Sequence, residues 1–445
     1  MERYESYRST DLDLINEIPV HWQTGKMNYF MEVKDGTHDS PSYVDEDEFS
    51  FPLVTSKDLV SGNLEFNKCK FITKEDHYQI IKRSDVSKGD ILMPMIGTVG
   101  SPVIVKTDRE FSIKNVALFK TSNSNKINVS YLNYLLSSDF VERQFDLNSN
   151  GGVQNFVSLS VLRKLNVFYF PINEQTHIAN YLDHQTAIID ALIEKKELLI
   201  QKLQAQRQAI INEAVTKGLN PNANMKDSGI EWLGEIPEHW EVKKLKHLGE
   251  SITGITYSPD DVTDNGTLVL RSSNIQNGKL ELNDTVYVNK QIAKKYITIT
   301  GDILLCSRNG SRNLIGKNIM LDARVENQSW GAFMTIYRSD YNSFMYYFFN
   351  SDIFTGLSSL FLSSTINQLT IGVLNNMQIA FPTDENERES IIRELKTQTK
   401  KLNKIISLNN MQIKKLKSYR QSIISEAVTG KIDVRDWQPK TTQMA

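Results

Sequence analysis

Two stretches of the chain carry apolar residues at alternating steps of three and four. Ile189, Leu192, Leu199, Leu203 and Ile210 mark the first, and Leu402, Ile405, Leu416 and Ile423 the second. This spacing lays one apolar seam along a helix and predicts a coiled coil. Residues 174–217 and 384–429 contain neither Pro nor Gly, and Gly218 and Gly430 supply the expected stops. At 1.5 Å per residue each helix would run about 65 Å, far beyond an ordinary globular helix. Polar residues interrupt both seams at matching places, Gln185 and Gln398, then Lys196 and Asn409. Two helices built on one seam are expected to pack together, antiparallel.

Elsewhere the pattern changes. Residues 18–170 and 236–381 hold short β-branched or aromatic runs bounded by Gly, Asn and Asp, such as 102–105 and Thr267–Leu270, which predict strands. Short helices are expected near residues 131–136 and 346–350.

The whole plan is written twice. Ile18-Pro-Val-His-Trp22 recurs as Ile236-Pro-Glu-His-Trp240, Gly62-Asn-Leu64 as Gly278-Lys-Leu280, and Gly89-Asp-Ile-Leu92 as Gly301-Asp-Ile-Leu304. Phe170-Pro171 returns as Phe381-Pro382, and Glu213-Ala-Val-Thr216 as Glu426-Ala-Val-Thr429. The order is kept while the offset drifts by a few residues, the mark of a repeat with small loop changes. The expected fold is therefore mixed α+β, a tandem repeat of two globular α/β domains joined by two long helices in an antiparallel coiled coil, with pseudo-twofold symmetry. Its segments are an N-terminal stretch 1–17, a domain 18–171, a helix 172–218, a linker 219–235, a domain 236–382, a helix 383–430 and a tail 431–445. Between the anchors the loops are unlike, which suggests one scaffold applied to two targets.

Composition narrows the function. With 51 Lys and Arg against 53 Asp and Glu the net charge is −2, so no global positive field would hold DNA; binding must be local or shared with a partner. Two cysteines, Cys69 and Cys306, without a CxxC spacing fit a reducing compartment and no thiolate zinc site. The start lacks a signal-peptide core and no apolar run is long enough to cross a bilayer, so a cytoplasmic, soluble protein is expected.

Catalytic and metal motifs are missing from the sequence. There is no Pro-Pro pair for an amino-methyltransferase loop. The run Gly310 to Asn318 resembles a P-loop but has five residues between its glycines, and Asn318 stands where Ser or Thr must reach magnesium. Pro259-Asp260-Asp261 lacks the Glu/Asp-x-Lys that would complete a nuclease site. His177 and His184 have heptad spacing rather than ligand spacing. No catalytic residue, metal site or bound cofactor is expected on this chain.

What the chain does carry is polar loops suited to nucleic acid. In the first half these are Lys34, Thr37, His38, Ser40, Lys57, Thr98, Ser101, Asn150, Gln154 and Asn155. In the second they are Thr256, Tyr257, Ser258, Arg271, Ser272, Asn274, Ser307, Arg308, Asn309, Ser311, Arg312, Thr365, Asn367 and Gln368. Asn and Gln can pair with adenine N6/N7, Arg with guanine O6/N7, and Gly lets backbone approach phosphate. Singly, such residues are more often plain turns; their recurrence at matched places is what gives the set weight. His21-Trp22 and His239-Trp240 are expected to be buried anchors. The second helix carries ten Lys and Arg against six Asp and Glu over 384–429, a basic excess that is first of all a solvated face.

The order of these motifs resembles the specificity (S) subunit of Type I restriction-modification systems over essentially the full chain. The two Glu-Ala-Val-Thr helix ends, followed by Ile432-Asp-Val-Arg-Asp-Trp437, are its most specific pieces. The resemblance implies a non-catalytic chain whose variable domains are target recognition domains, each for one half of a split sequence in double-stranded DNA, with the helices setting the gap. It also implies partners: two methyltransferase (M) subunits that bring S-adenosylmethionine to adenine N6, and motor-nuclease (R) subunits that use ATP and Mg, with no membrane. By the same resemblance Gln175, Ile178, Glu213, Thr216, Glu426 and Thr429 would face a partner. At the helix starts, Asn173-Glu174-Gln175 follows the family pattern, whereas Asp384-Glu385-Asn386 departs from it and two residues are gained before Leu395, so the two starts are not expected to dock a partner identically. A free-standing bivalent DNA-binding regulator and a coiled-coil interaction scaffold remain the rival classes.

Overall fold

The computed structural model describes residues 2–439 apart from 40, 61, 98, 123, 149–155 and 361–367. The chain divides into two compact units. Unit 1 is Met1–Lys196 with Met411–Ala445, and unit 2 is Glu197–Asn410, so each long helix is divided between them.

Each unit repeats one sheet plan. In unit 1 an antiparallel sheet runs in the order Val103–Ile104, Ile91–Pro94, Val116–Phe119, Val33–Asp35. Unit 2 has the same sheet as Asn318–Met320, Ile303–Cys306, Met334–Arg338, Glu250–Thr253. A second sheet in each contains one parallel pair, Ser112–Ile113 on Phe51–Val54 and Ser329–Trp330 on Thr267–Leu270. The central strands are apolar and buried on both faces: every residue of Ile91–Pro94 and of Ile303–Cys306 is buried. The expected short helices are present as Val129–Leu136 and Asn342–Phe349.

The two Gly-Asp-Ile-Leu motifs are explained by an ion pair at the head of a central strand. Asp90, fully buried, meets Lys120 Nζ at 2.8 Å. In unit 2 Asp302 takes the Arg338 guanidinium through both oxygens, at 2.8 and 2.6 Å.

The long helices span Ile172–Lys217 and Glu385–Val428. Within unit 1 they run antiparallel, Asp190 pairing with Arg420 and Lys196 with Gln412. Within unit 2 Ile211, Ala214 and Val215 share a core with Ile391 and Leu395. The seam departs from expectation on the first helix. Leu192 and Leu199 are exposed at 43% and 42%, while their neighbours Ile193 and Ile200 are buried. The buried positions Leu182, Thr186, Ile189 and Ile193, the half-buried Lys196 and the buried Ile200 keep three- and four-residue steps, shifted by one residue over part of the helix. Leu402 and Ile423 are buried as expected, and Leu203, Ile210, Ile405 and Leu416 are half-buried.

The sequence anchors meet at the helix ends. Trp22 is fully buried and stacks on Phe170 at 3.8 Å, with Tyr131 edge-on to the same ring. Gly430 ends the second helix at φ +72°, and a β-carbon there would stand 2.6 Å from Pro19. In unit 2 Gly218 ends the first helix at φ +74° against Trp240. Only a residue tolerant of the left-handed region lets the helix turn off so close to the indole.

The two helix starts share one internal anchor although their sequences depart from each other. Glu174 accepts from Trp22 Nε1, Tyr4 Oη and His21 Nε2 at 2.9, 2.7 and 2.8 Å. Its counterpart is Glu387, two residues beyond Glu385, which accepts from Trp240 Nε1 and His239 Nε2 at 3.0 and 2.9 Å. The two added residues are absorbed before the helix, and the carboxylate keeps its place in the first turn, where the helix dipole favours it. Burial, together with the Glu174 charge, pushes the Tyr4 hydroxyl well above its ordinary value.

Candidate nucleic-acid interface

Four segments converge in unit 2 on an open cavity of about 990 Å³. They are 255–257 after the edge strand, 271–273 after the parallel strand, 308–310 after the central strand, and 331–334 leading back into the sheet. Backbone hydrogen bonds fix them to one another. Ile255 N donates to Trp330 O at 2.8 Å, Gly331 N to Leu270 O at 3.0 Å, and Arg308 N to Phe333 O at 3.0 Å. Gly254 is required by this crossing, since a β-carbon there would lie 2.2 Å from Trp330 O.

Unit 1 builds the same frame. Thr37 N donates to Ile113 O at 3.0 Å, Lys114 N to Val54 O at 2.9 Å, and a β-carbon on Gly36 would lie 2.2 Å from Ile113 O. Strand register gives the equivalences: Ile91 lies opposite Phe119 as Ile303 lies opposite Tyr337. Counting along these strands, Ile96 stands where unit 2 has Arg308, and Asn115 where it has Phe333. By the edge strands, His38 stands where unit 2 has Thr256. The bridges Ile96 to Phe156 and Arg308 to Gln368 repeat the match.

The side chains on this frame sort into presented and engaged groups. In unit 2 the exposed candidates are Thr256, Ser258, Arg308, Ser311 and Arg312, with Tyr257, Ser272, Asn309 and Gln368 half-buried. Arg308 lies over the ring of Phe333, 5.2 Å from its centroid. Asn309 Nδ2 donates to Ser272 Oγ at 3.2 Å, and Ser258 caps a turn on Asp261. Arg271 is ion-paired to Asp284 at 2.7 Å.

Two candidates in unit 2 are corrected to structural roles. Asn274 is fully buried; its amide accepts from Arg271 N and donates to Glu281 O and Asp284 O, holding the loop in shape. Ser307, also buried, donates to Phe333 O at 3.0 Å.

In unit 1 Lys57 and Ser101 are exposed. Lys34 is half-buried and held by Asp85 and Glu32 at 3.0 and 3.3 Å, and Thr37 is buried, accepting from Asp39 N. His38 is exposed. Its Nδ1 faces Asn115 Oδ1 and its Nε2 faces Asp35 Oδ2, both at 2.9 Å, so both ring nitrogens donate and the imidazolium is favoured. These bonds raise the His38 pKa. Burial pushes Asp35 up, but His38 and Arg83 outweigh it and hold the carboxyl below its ordinary value. The remaining candidates, Ser40, Thr98, Asn150, Gln154, Asn155, Thr365 and Asn367, lie outside the described residues.

The partner-facing candidates are mostly internal. Gln175, fully buried, donates to Phe170 O and Lys126 O and accepts from Asn128 N. Ile178 is buried, and Thr216 and Thr429 bond back to Asn212 O and Ser425 O. Gln175 ties the helix to its own unit, while Thr216 and Thr429 bond within their own helices, so the four side chains are buried inside the chain. Glu213 is exposed, and Glu426 is half-buried and accepts from Ser422.

The structure adds Phe333, Asp284, Asn115 and Asp35, none of which the sequence singled out. No helix among the described residues is long and apolar enough to cross a membrane, and no group of three or more His, Cys, Asp or Glu among them could hold a metal ion.

The duplication also appears in the comparisons. The model of the Type I restriction modification DNA specificity domain matches residues 19–202 and again 237–416. The chain belongs to the Type I restriction-modification specificity-subunit family. The MjaVIII specificity subunit of Methanocaldococcus jannaschii is 24% identical over 433 residues, covering 94% of this chain and 95% of that one. The EcoKI specificity subunit of Escherichia coli is 27% identical over 218 residues, 46% of this chain and 47% of its own. The fold is shared with a chain solved in work on complex assembly and conformational transition of the type I R-M system (TM-score 0.71, 14% identity, 93% of this chain and 99% of that one). The HsdS subunit from Thermoanaerobacter tengcongensis aligns at TM-score 0.50 with 14% identity over 93% of this chain and 98% of its own. As a specificity subunit the chain is a non-catalytic DNA-recognition component.

Proposed function

We propose that each unit of this specificity subunit reads one half of an asymmetric, bipartite site in double-stranded DNA through its four-segment frame. The observation that carries this is the equivalence of the two frames combined with the chemistry that differs on them: His38, Ile96 and Asn115 in one, Thr256, Arg308 and Phe333 in the other. Equal backbones present the side chains at equal depth, and unlike side chains select unlike bases. The long helices, each shared by the two units, set the gap between half-sites and dock methyltransferase subunits, two per chain as the repeat suggests. Motor-nuclease subunits complete the restriction complex. S-adenosylmethionine, ATP and Mg belong to those partners. Because the chain is nearly neutral, much of the phosphate neutralisation falls to them, so affinity of the isolated chain for DNA is weak and that of the complex steeply salt-dependent.

The test is sequencing of DNA methylation in cells expressing this chain with its methyltransferase subunit, against cells lacking only this chain. A split motif with N6-methyladenine on both strands is the expected result. Absence of chain-dependent methylation, with the methyltransferase active alongside another specificity subunit, would favour a free-standing regulator or a scaffold.

A further inference from the structure

Two arginines line the cavity of unit 2, and their surroundings set them to different tasks. Arg271 is neutralised by Asp284 at 2.7 Å and lies half-buried. Arg308 is exposed, and among the described residues its guanidinium has neither a hydrogen bond nor an ion pair; it rests on the Phe333 ring. Phe333 is 60% exposed although it directly precedes the buried strand Met334–Arg338, so it is placed at the cavity wall at a solvation cost that core packing does not explain.

We propose that Arg308, backed by Phe333, selects a guanine in the half-site read by unit 2; this rests on the reading that the unit binds DNA. The cation–π contact with Phe333 uses none of the guanidinium N–H donors and leaves them free. Those donors are what pair bidentately with guanine O6 and N7 in the major groove. Both Arg308 and Phe333 are held from the backbone, through Arg308 N on Phe333 O and the bridge to Gln368, so the fork is aimed before DNA arrives. A phosphate contact needs no such aim, since a mobile surface charge suffices. Unit 1 has no equivalent: Ile96 and Asn115 occupy the two positions, so the guanine contact is confined to one half-site.

The experiment is methylation sequencing with the full methyltransferase complex carrying the wild-type chain, Arg308→Ala, Arg308→Lys, Phe333→Ala or Phe333→Tyr. Exchange of residues 236–381 for those of a relative identifies which half-site belongs to unit 2. The expected result is that Arg308→Ala relaxes one guanine position in that half-site, losing roughly 5- to 150-fold of discrimination there. The other half-site should be unchanged. Arg308→Lys keeps part of the preference, Phe333→Ala weakens it at the same position, and Phe333→Tyr restores it. Uniformly reduced methylation with an unchanged motif would mean a phosphate contact and overturn the proposal. So would a unit 2 half-site with no guanine on either strand, or relaxation in the other half-site. Failure of the wild-type chain to direct any methylation would remove the DNA-reading function itself, and is seen before any substitution is compared. Co-purification of each variant with the methyltransferase checks folding; if Arg308→Ala does not assemble, Arg308→Gln carries the same test.

Discussion

The carboxylate of Glu174 holds the indole of Trp22 at 2.9 Å from a helix turn 152 residues away, and shares itself with Tyr4 and His21. Its removal would leave a buried indole N–H and a buried phenol unpaired. Glu174→Ala is expected to destabilise unit 1 by about 2–4 kcal/mol, from hydrogen bonds to a charged group plus the desolvation penalty of the stranded donors. Glu387→Ala should cost less, because Glu387 is 25% exposed and has two such donors instead of three. Urea denaturation followed by tryptophan fluorescence compares the two, and equal losses would contradict the assignment.

The Asp90–Lys120 pair is buried on both sides, at 0% and 2% exposure. Removing Asp90 leaves the buried Lys120 ammonium with the longer Asp85 carboxylate contact at 3.5 Å and the acceptors Asp85 O and Ser87 Oγ, so Asp90→Ala is expected to cost about 3 kcal/mol, the low end for a broken buried pair. Replacing both, as Asp90→Leu with Lys120→Met, should recover most of the loss. A double-mutant cycle on the denaturation midpoints measures the coupling; additive losses would show that the pair does not act as one.

Protonation of His38 couples to stability with a defined sign. Its folded pKa is raised above 6.5, so its contribution is fully present below 6.5 and is lost as pH rises through the folded value. Asp35 is lowered below 3.8, so its contribution is present above 3.8 and is lost as pH falls through its own folded value. The network is strongest between these two ordinary values. NMR titration of the His38 ring should place its midpoint above 6.5, and Asn115→Ala should lower it. A midpoint at or below 6.5 in the wild-type chain would rule out the doubly donating imidazolium.

The seam predicts a contrast between neighbours on the first helix. Ile193→Ala, at a buried position, is expected to lose about 2–4 kcal/mol, whereas Leu192→Ala should stay within about 0.5 kcal/mol in the isolated chain. Thermal denaturation of the two variants decides which residue lies inside; the reverse order would restore the seam read from spacing alone.

That one-residue shift shows where sequence reading stops. Leu192 and Ile193, and Leu199 and Ile200, are adjacent apolar pairs, and spacing cannot choose between them without knowing which side the antiparallel partner covers. The repeat, the two helices and the Trp anchors were legible because each leaves a local pattern. The site was legible only as loops. Lys34 and Arg271 are written as free cations, yet Asp85 and Asp284 engage them after chain closure, and Asn274 is turned inward by carbonyls seven and ten residues on. Phe333 gave no signal, since an aromatic next to a strand reads as core until its exposure is seen.

The division of the chain also dictates an order of folding. Unit 2 is one uninterrupted run, Glu197–Asn410, whereas unit 1 is completed by contacts such as Tyr7 Oη on Gly430 O, 423 residues apart. During synthesis the N-terminal part of unit 1 emerges first but must wait for the last helix turns, so the later-made unit closes earlier. In that interval Tyr131 lacks its acceptor at Val428 and the inner face of residues 178–193 lacks the cover of residues 411–428. The nascent chain therefore carries a long, uncovered apolar stripe until translation is nearly finished, and its capture by a chaperone or by a helix of another subunit would have to occur in that window.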